Sequence, residues 1–214
     1  ISAASNSPQG VLYPRILDIG TGSGLIALMI AQRLHLRGDI FSVLGIDIDR
    51  DAVAQSSINF QQSPWADSLT SRACRLQDMP AEQAFDLIVS NPPYFQDSLK
   101  NPNAQRATAR HTDTLSYAEL IAHSARLLYK DGILALVLPI EAEQEILALA
   151  TEHGLHPTHI THVHSKPGKP AKRLLIALSP ITDNRYPTTD MMYIEGANQP
   201  RSEEYQALTA EFYL

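Results

Sequence analysis

The stretch "FDLIVSNPPYF", Phe85 to Phe95, ends an apolar run in two prolines and two aromatic rings. The run is the kind that forms a buried central strand. The prolines stop it, because proline has no backbone N–H and fixes φ, and the residue before each proline is held extended. A backbone stiffened this way aims the Asn91 side chain and the Pro92 carbonyl out of the strand's end. Two carbonyl acceptors side by side suit a particular chemical problem. The amino group of a nucleobase or a carboxamide is a poor nucleophile because its lone pair is delocalised. Acceptors on its two N–H bonds favour a pyramidal nitrogen and free the pair for in-line attack, so rate comes from positioning and electrostatics and no strong base is needed. Tyr94 adds a flat face on which a flipped-out base can stack, worth about 1–3 kcal/mol. Pro93 and Phe95 extend that contact surface.

A second stretch, "DIGTGSG" from Asp18 to Gly24, carries glycines at 20, 22 and 24. Glycine permits positive φ and close backbone approach, and the helix that follows presents free N–H groups and positive dipole to an acidic ligand group. The spacing is G-x-G-x-G, and Leu25 stands where the dinucleotide fingerprint G-x-G-x-x-G needs its third glycine. "GIDID" at 45–49 places Asp47 at the end of the next strand, where a carboxylate can accept from two ribose hydroxyls, with Ile48 beside an adenine face. That pair fits any adenosine cofactor and does not by itself separate NAD from the others.

These residues need a frame. Apolar runs at 15–20, 40–47, 68–76, 85–90 and 132–139 read as strands. They alternate with helical patterns at 24–34, 50–63, 116–129 and 141–153. Ser116 and Glu119 stand at capping-box spacing, and Gly154 ends the fourth helix. "LHPTHITHVHS" and "RLLIALSPI" can pair as two late strands, and the tail holds a short strand, "MMYIE", and a terminal helix. The near-continuous apolar strands mark a parallel sheet covered on both faces, and ligands in such sheets sit at the strands' carboxyl ends.

"LDIGTGSG" followed by "NPPY" resembles the Rossmann-like S-adenosylmethionine-dependent amino-methyltransferases. Their motif [D/N]-PP-[Y/F/W] serves adenine and guanine amines and the glutamine amide. "NFQQSPWAD" (59–67), "RATARHT" (106–112), "LALVLP" and "EEYQALTAEFYL" narrow the resemblance to the bacterial tRNA1(Val) adenine-37-N6-methyltransferase family, over Arg15 to Leu214. The resemblance implies a class I fold: a mostly parallel seven-stranded sheet with helices on both faces and an antiparallel last strand. It implies S-adenosylmethionine held by Asp18, Gly20, Gly22, Asp47, Ile48, Asn91 and Asp78, the last accepting from the adenine amine. Asn91, Pro92 and Tyr94 become catalytic, tRNA becomes the partner, and the target is the adenine 3′ of the anticodon. The family carries several dozen residues, rich in Lys and aromatics, before the first strand, and here fourteen precede Arg15. Residues 1–14 read as a flexible remnant, 15–182 as the catalytic domain and 183–214 as an extension packed on it.

At −6, the net charge announces no nucleic-acid partner, so RNA contact falls to local basic loops. Two are present. Arg106, Arg110 and His111 follow the proline motif, and Lys166, Lys169, Lys172 and Arg173 lie in "HSKPGKPAKR". Guanidinium and ammonium groups suit phosphates. Five histidines crowd 153–164, but their spacing crosses a helix end, Pro157 and a strand, so at most two share a face and no metal site is expected. Tyr205, Leu208, Phe212 and Leu214 read as packing. A single cysteine, Cys74, reads as a buried small side chain and suits a reducing, cytoplasmic setting. No apolar run has membrane-spanning length, and a monomer is expected. Other readings of the same residues are a protein-glutamine or rRNA-guanine methyltransferase, a nucleotide-dependent oxidoreductase, and a non-catalytic RNA-binding subunit.

Overall fold

The structure is a computed structural model that describes residues 5–6, 12–81, 84–92, 115–181 and 186–212. The strands are β1 (Arg15–Ile19), β2 (Ser42–Asp47), β3 (Leu69–Ala73), β4 (Phe85–Ser90), β5 (Leu128–Pro139), β6 (His156–His164), β7 (Ala171–Ser179) and β8 (Thr188–Tyr193). They form one sheet in the order β8-β6-β7-β5-β4-β1-β2-β3. Neighbours pair in parallel except at β7, which runs against both β5 and β6. Among the described residues the sheet therefore has eight strands where seven were expected. The additional one comes from the C-terminal extension, whose β8 pairs in parallel with β6 and so builds the sheet edge. The expected linker before β1 contains a two-residue antiparallel ladder, Ser5–Asn6 with Leu12–Tyr13.

The helices are α1 (Leu25–Leu36), α2 (Arg50–Gln61), α3 (Tyr117–Leu127), α4 (Glu143–Glu152) and α5 (Glu203–Thr209). Alternation along the strands sorts them onto two faces. On β1, Ile16 packs with Ala27, Ala31 and Leu34 of α1 and Phe60 of α2. Leu17 points the other way, to Leu120 and Ile121 of α3 and Ile146 of α4. Leu134, Leu136 and Leu138 of β5 are at most 2% exposed, which makes this strand the floor of the α3–α4 core. Burying each such side chain contributes roughly 1.5–3 kcal/mol.

Local chemistry fixes the helix starts. The Asp49 carboxylate accepts from the Asp51 and Ala52 amides and caps α2. Ser116 and Glu119 close the expected capping box at α3. The tail crosses back to α1, where Arg33 donates to the Leu208 carbonyl at 2.7 Å and its guanidinium lies 4.9 Å over the Phe212 ring. Phe212 thus packs as expected, while Leu208 is 42% exposed and Leu214 lies outside the described residues.

α1 begins at Gly24 with φ +83°, and a Cβ there would stand 2.4 Å from Cε1 of Phe60. The third glycine of the turn therefore does the close packing that Leu25 cannot, with α2 as its partner. Gly24→Ala combines left-handed strain with overpacking and should cost about 2–4 kcal/mol of folding stability in urea unfolding.

Candidate cofactor and catalytic site

Three strand ends meet at the carboxyl edge of the sheet. Both the Gly20 and Thr21 amides donate to the Ile46 carbonyl, at 2.9 and 3.0 Å, which seats the glycine turn on the end of β2. Gly20 and Gly22 take φ +71° and +55°, with open space where a Cβ would be. The Asp47 carboxylate accepts from the Gly22 amide through Oδ2 and from the Asp49 amide through Oδ1, each at 3.0 Å. A carboxylate has about four acceptor positions, so lone pairs remain for ligand hydroxyls. On the other side, Ser90 Oγ donates to the Ile19 carbonyl at 2.9 Å and ties β4 to β1 directly before Asn91.

Between these groups lies a cavity of about 460 Å³, lined among others by Gly20, Asp47, Ile48, Ser90, Asn91 and Pro92. This volume falls within the range of small-ligand sites. Leu76, Gln77 and Leu115 close the wall beside Ile48. Gln77 Nε2 donates to Glu119 Oε1 at 3.1 Å, and Arg126 donates to the Gln77 carbonyl at 3.3 Å, so α3 holds this wall in place. Hydrogen bonds from the Ser116 backbone and hydroxyl, then from Gln77, hold the Glu119 carboxyl down at about 2.

The cavity joins Gly20, Asp47, Ile48, Asn91 and Pro92 of the expected set. Gly22 reaches it through its hydrogen bond to Asp47. Asp78 lines an adjoining cleft of about 350 Å³ that shares Ile48, Cys74 and Arg75 with the cavity. Asp18 is placed differently: it is wholly buried and bonded to the Thr21 hydroxyl of the turn. Cys74, expected in the core, follows β3 and is half-buried in the cavity wall. Pro93, Tyr94, Phe95, Arg106, Arg110 and His111 lie outside the described residues. Lys166 and Lys169 occupy the exposed β6–β7 turn, with Lys172 and Arg173 exposed at the start of β7.

Sequence reasoning missed Ser90, Gln77 and the close approach at Gly45. A Cβ on Gly45 would lie 2.6 Å from Thr21 Oγ1. A glycine inside an apolar strand is the available signal for such an approach. The histidines go to separate partners: His159 to Asp190 at 2.9 Å, His162 to Glu143 at 3.0 Å and His164 to the Lys169 carbonyl at 2.7 Å.

Burial dominates at Asp18 and pushes its carboxyl up to about 6, against the lowering effect of the Thr21 hydroxyl and the Ala27 amide. Thr21 Oγ1 donates to its Oδ2 at 2.8 Å, while Oδ1 has no partner. A raised carboxyl favours folding below the unfolded value near 4 and loses that contribution as pH rises through 6. Asp18→Asn lacks this titration. Its stability relative to the parent should therefore rise between pH 4 and about 6.5, by on the order of 3 kcal/mol, and then level off. Thermal unfolding of both proteins across that range measures it.

The methyltransferase small domain family matches residues 7–152. The tRNA1(Val) (adenine(37)-N6)-methyltransferase of Phocaeicola vulgatus is 45% identical over 199 residues, covering 93% of this chain and 82% of that protein. The protein of the same name from Parabacteroides distasonis is 46% identical over 202 residues, covering 94% and 83%. Among solved structures, a predicted O-methyltransferase from Agrobacterium tumefaciens superimposes with a TM-score of 0.68 at 16% identity, covering 92% of this chain and 88% of that one, which establishes the fold. The chain belongs to the methyltransferase small domain family and, within it, to the tRNA1(Val) (adenine(37)-N6)-methyltransferases.

Proposed function

We propose that this protein transfers a methyl group from S-adenosylmethionine to the exocyclic amine of an adenine in tRNA, the adenine 3′-adjacent to the anticodon of tRNA1(Val). The observation that carries this reading is the single cavity lined by both the glycine turn with Asp47 and the Asn91–Pro92 pair. Its chemistry fits the cofactor. Open space stands above the turn at Gly20 and Gly22, a carboxylate is offered for ribose hydroxyls at Asp47, and Ile48, Leu76 and Leu115 give apolar walls for a purine. When bound, S-adenosylmethionine supplies an electrophilic methyl group.

The chain's own residues prepare the nucleophile. Asn91 and the Pro92 carbonyl accept from the two N–H bonds of the adenine amine and hold its lone pair toward the cavity. The amine gains positive charge as the new bond forms, and these fixed dipoles stabilise it without reorganising. The proton then becomes acidic and leaves to water, so no strong base is needed. Tyr94 stacks the flipped base, with Pro93 and Phe95 beside it. Arg106, Arg110, His111, Lys166, Lys169, Lys172 and Arg173 meet phosphates. Asp78 extends the purine wall through the adjoining cleft. The enzyme works as a monomer in the cytoplasm. Among the described residues no helix is long and apolar enough to cross a membrane.

Incubation with labelled S-adenosylmethionine and tRNA lacking the modification, followed by nucleoside mass spectrometry, should yield labelled N6-methyladenosine. Label on protein glutamine or on guanosine instead would overturn the reading. In single turnover with saturating cofactor, Asn91→Ala should lose on the order of 10²–10³ in rate with cofactor affinity nearly unchanged, and Asn91→Asp should lose less.

A further inference from the structure

The proposed function assigns RNA contact to basic loops and leaves the C-terminal extension as packing. Strand register shows why the extension carries more. Ser90 pairs with Leu136 and Leu136 with Ile176, while Ala171, at the start of β7, lies five residues beyond that level. At ~3.3 Å per residue, the β6–β7 hairpin stands about 16 Å past Ser90 as a wall beside the crevice. It lies two to three strands away, roughly 10–14 Å sideways.

The extension is fastened to that wall. The Ile194 amide donates to the His164 carbonyl at 3.0 Å and the Glu195 amide to the Ser165 carbonyl at 2.8 Å. The His164 and Tyr193 rings lie 5.2 Å apart. The chain then turns, with the Ser202 amide donating to the Ile194 carbonyl at 2.9 Å, and α5 follows. There the Arg201 guanidinium lies 5.0 Å over the Tyr205 ring. Arg201, Tyr205, Gln206 and Thr209 line an open cavity of about 560 Å³.

We propose that the Arg201–Tyr205 pair, at the start of the helix fastened to the lysine hairpin, is a stacking platform for an unpaired nucleobase of the RNA substrate. This rests on the tRNA reading above. The ligand is a base and not a phosphate, because the first turn of α5, between Arg201 and Tyr205, carries the two acids Glu203 and Glu204. The cations suited to phosphates, Lys166, Lys169 and Lys172, sit on the hairpin to which the extension is hydrogen-bonded. An aromatic ring backed by a guanidinium accepts any base face, and the hairpin beside it tracks the backbone.

Binding of unmodified tRNA to the full chain, followed by fluorescence anisotropy at several salt concentrations, tests this. Tyr205→Leu keeps an apolar side chain for α5 but removes the ring. It should weaken binding roughly 5- to 100-fold, with the salt slope of wild type, because stacking releases no counterions. Tyr205→Phe should bind within about twofold of wild type. Cofactor affinity should stay the same in both. Wild-type affinity in Tyr205→Leu, or loss in Tyr205→Phe equal to that in Tyr205→Leu, overturns the platform. Failure of the wild-type protein itself to bind tRNA overturns the function reading instead.

Discussion

The ends of β4, β1 and β2 are locked at one level, and the site depends on that lock. Ser90 Oγ holds the Ile19 carbonyl, and the Ile46 carbonyl takes both the Gly20 and Thr21 amides. The Gly22 amide closes onto Asp47. These bonds fix the glycine turn to the strand on one side and the proline motif to the strand on the other. Because methyl transfer gains its rate from alignment, an error of about 1 Å between the two sides costs about 10²-fold. The parallel ladder alone sets strand register, but it does not set where the chain turns after each strand. The side-chain and loop bonds do that.

The lock carries a cost at its base. Asp18 is buried with one oxygen unpartnered, and its carboxyl titrates well above the usual carboxylate range. In exchange the Thr21 hydroxyl is held downward, and the bare Cα of Gly45 makes room for it. A buried, incompletely satisfied acid carries a desolvation cost, of the kind found where position matters more than stability.

The turn, Asp47 and the Asn91–Pro92 pair were legible in sequence because each depends on residues close together in the chain. Glycine spacing announces positive φ, an acid after an apolar run announces a strand end, and two prolines announce a stop. Ser90 was not legible as a tie, because its partner is Ile19, 71 residues away, and only the β1–β4 register makes them neighbours. The Glu119–Gln77 bond that sets the cavity wall has the same non-local character. The pairing of the eighth strand was not legible for a different reason. "MMYIE" reads as a short strand, but whether it pairs with the sheet or packs on it depends on the exposed edge that β6 offers. The burial of Asp18 was not legible, because its position in the motif says nothing about the depth of the turn above it.

The claim that catalysis depends on tying the proline motif to the glycine turn is tested most directly at Ser90. With saturating cofactor, the single-turnover methylation rate of Ser90→Ala should fall at least about 10-fold, because Asn91 loses its fixed distance from the turn. Cofactor affinity should stay within about twofold, and stability should fall by only about 1 kcal/mol, the worth of one buried hydrogen bond. A Ser90→Ala enzyme that transfers methyl groups at the parent rate would contradict the account.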